Sequence, residues 1–413
     1  MQRLPFLIFI LLFYLALDYY LFQAVKVVAE STIPNYKRIA YTVFWSLTGF
    51  TFLAVFGFFI VDSAKYQFLK SIFVSVVAIN FVSKFVAVFF VFLDDILRFG
   101  QWAYQGIVHN GISSSSEGEG IPRSEFLAKT ALIAAAVPSA VFGFGIISGA
   151  YDYRVRRRSV VIPSLPKAFD GIRVAQLSDI HSGSFYNSTA VKGGVNLLLN
   201  EKPDVVFFTG DLVNNESKEV KDYINVFEKV KAPLGVYSTL GNHDYGDYTR
   251  WSSPQAKQQN LQELIKSHKQ MGWDILLDEH RYLEVNGEKI GVLGVQNWGA
   301  KFVKHGDLDK AAMNVEADTK ILLSHDPSHW DAQVRPNHSD IDLTLSGHTH
   351  GFQFGIEIGD FRWSPSKYFY KQWADLYQEG EQYLYVNRGF GFLGYPGRVG
   401  ILPEITILEL KSA

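Results

Sequence analysis

Two textures of hydrophobicity divide the chain. In the first 150 residues, apolar runs recur at 4–25, 39–61, 68–93 and 126–150, each near the ~20 residues a helix needs to cross the hydrocarbon core. The second and third are apolar on every side (Phe50, Val55, Phe56; Val74, Val77, Val86), which predicts helices that face lipid or are wholly buried. The fourth is rich in Ala134, Ala135, Ala136, Gly143 and Gly145 and contains Pro138; small residues suit close helix packing in lipid. The first run is too long for a signal peptide and lacks a small-residue cleavage site, so it reads as retained. Residues 94–125, with Ser at 113–116 and Gly-Glu-Gly at 118–120, are predicted to form a flexible extramembrane loop.

From Val160 onward the apolar runs shorten and alternate with amphipathic segments. The runs 172–177, 205–209, 235–240, 290–295, 320–323 and 341–345 read as buried strands ending in polar residues or glycine. Segments 191–200, 218–230 and 255–271 read as helices, and 352–358, 383–386 and 405–410 as strands without helices between them. This alternation predicts an α/β fold of layered sheets flanked by helices, placed over 151–413 behind an all-α transmembrane region over 1–150.

Composition removes several function classes. The 413 residues include no cysteine, which excludes disulfides, thiolate metal sites and a thiol nucleophile. The formal charge is −2, with no basic surplus to bind nucleic acid. No Gly-x-Ser-x-Gly or Gly-x-x-x-x-Gly-Lys string occurs, against serine-hydrolase and P-loop chemistry. Lys/Arg residues near the helix ends set the orientation. One side collects Arg3, Lys65, Lys70, Arg154, Arg156, Arg157 and Arg158, and the other Lys26, Lys37, Arg38, Arg98 and Arg123. The bias places the C-terminal half on the cytoplasmic side of an inner (plasma) membrane. Lys84, alone in the third run, is expected to face a neighbouring helix or to snorkel.

The chemistry gathers at strand ends. Asp179 and His181 follow the first strand, Asp211 the second, and Asn242, His243 and Asp244 the third; His325 and then His348 and His350 follow two later ones. Any one of these is ordinary, since Asp and Asn form turns and a lone His is usually surface or satisfied core. Together they place hard oxygen and imidazole donors at five strand ends, and an open α/β sheet binds ligands at the carboxyl ends of its strands. Two divalent ions clamped there suit an in-line phosphoryl displacement, with Asp211 the natural bridging carboxylate. Mixed N/O donors without sulfur favour Mn, Fe or Zn. Gly210, Gly241 and Gly347 permit the tight turns involved.

The ordered set Asp-x-His, Gly-Asp, Gly-Asn-His-Asp, His and Gly-His-x-His resembles the calcineurin-like metallophosphoesterase superfamily over about residues 160–410. The resemblance implies a four-layer α/β/β/α sandwich and two metal ions, one held by Asp179, His181, Asp211 and His350 and the other by Asp211, Asn242, His325 and His348. It implies that His243 contacts the phosphate and protonates the leaving oxygen, with Asp244 orienting its ring. Ala232-Pro233-Leu234-Gly235-Val236-Tyr237, Gly347 to Gly351 and Asn387-Arg388-Gly389-Phe390-Gly391 are similar to a membrane-tethered bacterial branch that includes UDP-2,3-diacylglucosamine pyrophosphatase-like enzymes of lipid A synthesis. Phe352 departs from that branch, where a second Gly is common. Arg123 to Leu127 resembles a twin-arginine export signal lacking one Arg.

The implied activity is hydrolysis of a phosphodiester or pyrophosphate bond in a phosphorylated lipid or nucleotide-lipid. A metal-binding membrane sensor or scaffold is the alternative from another class, and an exported phosphatase acting on envelope phosphates is a further one. Arg388, between Asn387 and Gly389, is expected to reach a substrate phosphate. Phe361, Trp363, Tyr368, Phe369, Tyr370, Trp373 and Tyr377 crowd one segment, to be explained by core packing or by a cap that meets acyl chains or the bilayer.

Overall fold

The computed structural model describes residues 3–30, 32–61, 66–108, 123–359 and 361–413; of the loop expected at 94–125, residues 109–122 lie outside them, while 94–108 are helix instead. The chain divides into two compact units, Met1–Phe144 and Gly145–Ala413.

Four helices are long and apolar enough to cross a membrane: α1 (Arg3–Glu30), α2 (Pro34–Ile60), α3 (Gln67–Val108) and α4 (Glu125–Ile147). Their interior is built from small and aliphatic residues, Leu21, Ala24, Ala87, Val91, Ala128 and Ala131, while Phe50, Leu53, Phe85, Phe89 and Ile133 point outward. α3 outruns the expected span. Its 42 residues extend about 63 Å at ~1.5 Å per residue, roughly twice the hydrocarbon thickness. Asp94, Asp95 and Arg98 end the apolar run but not the helix. Asp95 accepts from Tyr20, Arg98 and Arg123, and Asp94 from the Ser124 N–H.

Lys84 neither snorkels nor stands alone. It forms a buried ion pair with Asp18 of α1 (2.5 Å), and Thr48 of α2 donates to the other Asp18 oxygen (2.9 Å). Asp18 sits inside the first apolar run, so the pair becomes visible only when the helices meet. Removing one member of a buried pair strands the other's charge and typically costs about 3–5 kcal/mol, whereas replacing both is often neutral.

The second unit is a sandwich of two six-stranded sheets. In chain order the elements of the first half are β1 (Arg154–Ile162), β2 (Arg173–Leu177), α5 (Ser188–Asn200), β3 (Val205–Phe208), α6 (Ile224–Phe227), β4 (Val236–Ser238), α7 (Pro254–Gln270) and β5 (Asp274–Ile275). The second half follows with β6 (Glu279–Val285), β7 (Glu288–Gly294), α8 (Leu308–Ala312), β8 (Lys320–Leu323), β9 (Leu343–Ser346), β10 (Ile356–Ile358), β11 (Phe361–Trp363), β12 (Asp375–Glu379), β13 (Gln382–Val386) and β14 (Glu404–Ser412). One sheet runs β1-β14-β2-β3-β4-β5 and the other β12-β13-β9-β8-β7-β6, with β10 and β11 as a separate hairpin.

Strand alternation assigns the layers. On β3, Val205 and Phe207 face the other sheet's Ile321, Leu323, Leu343 and Leu345, while Val206 and Phe208 face the helical side with Val195, Phe227 and Leu264. Leu293, Leu322, Trp330 and Val334 cover the far face of the second sheet. The order is helix, sheet, sheet, helix, the expected four-layer fold. Because β2, β3 and β4 are mutually parallel, as are β7, β8 and β9, the carboxyl ends of each set emerge at one edge. Buried Gln176 donates to Thr209 and to the Ser346 carbonyl, tying the two sheets just behind it.

Two local expectations fail. Residues 154–158 are strand, not a free juxtamembrane cluster: β1 lies parallel to β14, and its arginines reach Glu357, Glu404, Glu201 and Asp375. The run 352–358 is strand only from Ile356, because Phe352 (φ 56°) and Gln353 (φ 57°) turn left-handed.

In detergent, Lys84→Met should unfold at lower temperature than the parent chain, and the Asp18→Asn/Lys84→Met double variant should recover most of that loss. Equal transitions for the single and double variants would separate the two residues energetically.

Candidate metal centre

Each donor leaves its strand on an abrupt turn. Asp179 (φ 51°), His181 (φ 48°), Asp211 (φ 61°), His348 (φ 70°) and His350 (φ 49°) all adopt left-handed backbone, a conformation that typically costs a residue with a β-carbon about 1 kcal/mol or more. Such turns reverse the chain within one residue and aim the side chain back over the sheet edge. Among the glycines Gly210 alone needs its positive φ (97°). Gly241 and Gly347 are required by proximity, since a β-carbon there would lie 2.2 Å from an Asp211 or an Asp179 carboxylate oxygen.

The donors form two adjoining groups. In Asp179, His181 and His350, and again in Asp211, His325 and His348, the ligand atoms lie within 4.8 Å of one another. The His181 and His350 Nε2 atoms face each other at 3.0 Å, and His350 Nε2 lies 3.2 Å from Asp179 Oδ1. His348 Nδ1 lies 3.3 Å from His325 Nε2 and 2.9 Å from Asn242 Oδ1, the Asn242 amide N–H being given to Tyr248 (2.8 Å). Asp211, in the second group, also approaches the first. Its Oδ1 accepts the His243 backbone N–H, while Oδ2 stands 3.6 Å from His181 Nε2 and 3.1 Å from His325 Nε2.

Electrostatics fits this arrangement to cations. Burial lowers His181 to about 3 and His348 to about 4, and puts His350 well below the usual imidazole range. These rings are therefore uncharged at neutral pH, and each keeps one ring nitrogen able to take a cation. Burial opposes ionisation of Asp211, but His325 and His243 hold its carboxyl well below the usual range. Seven oxygen and nitrogen donors without sulfur match two hard or borderline divalent ions.

His243 is half-buried and belongs to neither group. Its Nδ1 meets the Asn214 carbonyl at 2.8 Å, so Nδ1 carries the hydrogen and Nε2 is left to exchange a proton. This corrects the expected role of Asp244. Its two oxygens do not orient the His243 ring; they accept four backbone N–H groups, from Asp211, Gly241, Leu212 and Val213. The carboxylate thereby pins the Asp211 loop to the Asn242 loop.

Arg388 is corrected as well. It is fully buried, and its guanidinium is occupied by Glu404 (2.7 Å), Glu357 (2.7 Å) and Asp375 (3.5 Å). Buried among three carboxylates, the guanidinium does not face a substrate phosphate. Sequence reasoning missed three neighbours of the centre. Tyr370 bonds His348 Nε2 at 2.7 Å, Tyr248 orients Asn242, and buried Arg398 lies 3.1 Å from His350 Nδ1 while donating to the Gly389 and Gly391 carbonyls. Tyr370 lay within the aromatic segment; the other two had no motif to mark them.

Asp244→Asn would set an amide N–H₂ against the N–H groups of Asp211 and Gly241, and each hydrogen bond lost to a buried charge costs about 1.5–3 kcal/mol. That variant should bind fewer than two metal ions per chain by elemental analysis and unfold earlier, whereas His243→Ala keeps both ions. Full metal content and unchanged stability in Asp244→Asn would refute the pinning role.

Comparison with known proteins agrees with the geometry. Residues 2–150 match the family described as a probable calcineurin-like phosphoesterase transmembrane domain, and residues 172–352 match the calcineurin-like phosphoesterase family. A transmembrane protein with metallophosphoesterase domain from Danio rerio is 29% identical over 310 residues, 73% of this chain and 66% of that protein. Its namesake from Bos taurus is 29% identical over 304 residues, 71% of this chain and 65% of that protein. The uncharacterized metallophosphoesterase YkuE of Bacillus subtilis strain 168 is 29% identical over 255 residues, 60% of this chain and 82% of that protein. The matched region thus spans about two thirds of the length of the two vertebrate relatives. One family thus covers the apolar helices and the other the metal-ligand edge: residues 172–352 are a calcineurin-like phosphoesterase region, of a family of phosphoester hydrolases, preceded in the chain by the four-helix transmembrane domain matched over residues 2–150.

Proposed function

We propose that this chain is a two-metal phosphohydrolase that cleaves a phosphodiester or pyrophosphate bond in a lipid-linked substrate, UDP-2,3-diacylglucosamine being the first candidate. The observation that carries the reading is His243. A scaffold or sensor needs ligands only, whereas His243 stands outside both ligand groups with its ring fixed by Asn214 and its Nε2 free.

Asp179, His181, Asp211 and His350 would hold one ion, and Asp211, Asn242, His325 and His348 the other. When bound, the ions would supply Lewis-acid activation of water and charge stabilisation on the phosphoryl oxygens. The chain's own groups do the rest. Asp211 Oδ2 sits between the two groups, and Oδ1 is fixed by the His243 N–H. As the P–O bond to the leaving group breaks, His243 Nε2–H protonates the departing oxygen, and the ring recovers its proton from water. A membrane anchor of four helices argues for a substrate that itself lies in the membrane, since a soluble nucleotide needs no such anchor.

The proposed location is the inner (plasma) membrane with the phosphoesterase unit on the cytoplasmic side. Arg154 and Arg156 to Arg158 are ion-paired in β1, yet β1 acquires its partner strand only after Glu404–Ser412 has been made. During insertion the arginines are free cations beside the last apolar helix, which is the state on which positive-inside retention acts.

His243→Ala should lower turnover by roughly 10²–10⁴, the usual worth of a positioned general acid, and by less with a nitrophenyl leaving group. The test panel comprises phosphomonoesters, phosphodiesters and UDP-diacylglucosamine with Mn²⁺; equal losses on good and poor leaving groups would argue against proton donation. Orientation is tested separately, because the chain has no cysteine. Lys218→Cys, at a half-exposed position, should react with a membrane-impermeant thiol reagent only after lysis, and labelling of intact cells would overturn the cytoplasmic placement.

A further inference from the structure

The hairpin β10–β11 has two unlike faces. Its register pairs Ile356 with Trp363, Glu357 with Arg362 and Ile358 with Phe361, so the charged pair points one way and the apolar pairs the other. The charged face is anchored inward: Glu357 accepts from Arg388 and Arg156, and Arg362 pairs with Asp375. The apolar face is left in the open, with Ile358 73% and Phe361 61% exposed. Beside it Phe352 and Phe369 stack at 5.3 Å, both largely exposed, next to Tyr368 at 70%. Among the described residues of this unit, six of the thirteen large exposed apolar side chains fall within 352–369.

Two observations say what covers this face. Phe352 holds its ring at the surface from a left-handed backbone position (φ 56°), a conformation rare for a bulky residue. Exposed Lys367 and Lys371 flank the aromatics, with Lys367 Nζ 5.6 Å from the Tyr368 ring centroid. Aromatic and aliphatic tips ringed by lysine suit the headgroup boundary of an anionic bilayer, where rings bury and ammonium groups meet phosphate. The second observation is position. The hairpin root is laced to Val399 through Gly355 N–H and Gln353 carbonyl bonds. Gly145, the first residue of this unit, meets the same segment: Arg398 N donates to the Gly145 carbonyl, and a β-carbon on Gly145 would lie 2.6 Å from Val399. The apolar face therefore grows from the segment that receives the chain as it leaves its last membrane helix.

We infer that the β10–β11 hairpin, with Phe352, Tyr368 and Phe369, is a bilayer-docking surface that inserts into the headgroup–acyl boundary beside the metal centre. The buried cluster around Arg388 is what holds it there, which gives that arginine a role other than phosphate binding. Tyr370, which touches His348, directly follows the docking aromatics. The inference rests on the membrane-anchored reading and does not depend on which lipid is cleaved.

The full-length chain carrying Ile358→Cys or Phe361→Cys is labelled with bimane and reconstituted in vesicles of phosphatidylcholine and phosphatidylglycerol. Several-fold stronger quenching by doxyl-labelled lipid than by iodide is expected, with the reverse at Lys218→Cys. Iodide quenching like that at position 218 would overturn the inference, and so would protection from both quenchers, the mark of a protein partner or a second copy. Ile358→Ser/Phe361→Ser should also lose several-fold in turnover of UDP-diacylglucosamine in vesicles while cleaving soluble bis(nitrophenyl) phosphate like the parent, and equal turnover of both substrates would count against docking. If the parent cleaves neither substrate, the hydrolase reading fails while the quenching result still decides the docking.

Discussion

Seven metal-capable donors crowd one edge of the sheets, and keeping so many polar groups out of water is the constraint around which the phosphoesterase unit is organised. Imidazole nitrogens 3.0 Å and 3.3 Å apart adjoin two buried carboxylates, and the few bonds among them do not fix their positions alone. They are held by the backbone. Five of the seven occupy left-handed turns, and such strain persists only where surrounding structure over-determines it. Here the over-determination is explicit. Asp244 takes four N–H groups from two loops, the His348 N–H donates to Asp179, and the His325 ring is fixed on the Thr209 carbonyl. Cations at the centre would offset the cost of burying these groups, so metal binding and local stability are two readings of one free energy.

A second set of charges does mechanical work away from the chemistry. Arg388, Arg156, Arg158 and Arg362 interleave with Glu357, Glu404 and Asp375, while Tyr385 and Thr406 bond the remaining Glu404 oxygen at 2.6 Å each. These residues come from β1, β10, β11, β12, β13 and β14 and the loop after β13. Buried ion networks are weak contributors to net stability, because desolvation offsets most of the attraction. Their directional bonds nonetheless define which strands meet. Substituting any one member would leave charges stranded across both sheets.

What was legible in the sequence follows from the range of each signal. All-round apolarity marked the four membrane helices, and short apolar runs ending in Asp, Asn or His marked the strands and the donors, because those properties are local. Features that depend on a distant partner were not legible. Asp18 and Lys84 lie on different helices and read as isolated charges until α1 meets α3. The strand β1 contains four arginines, which disguise it as a juxtamembrane cluster; it is a strand because β14 supplies its hydrogen bonds and carboxylates elsewhere supply counter-charge. Asn214 took the duty expected of Asp244, because which group orients His243 is decided by loop geometry, not by spacing. Arg398 follows no motif, since its acceptors are backbone carbonyls that any residue provides.

The pairing of β1 with β14 also imposes an order in time. As the chain emerges, β1 comes first of all the strands, and among its named pairings it has no partner until residues 404–412 follow. Throughout that interval an arginine-rich strand with an open edge hangs directly behind the last apolar helix, and the sheet cannot admit β14 between β1 and β2 without keeping a slot free. The native sheet is thus closed by its latest arrival. Long-range strand pairing of this kind is intrinsically slow and leaves edges exposed to misassembly. The positive charge along β1 serves the waiting strand, because an edge that repels its own copies does not pair with another chain before β14 arrives.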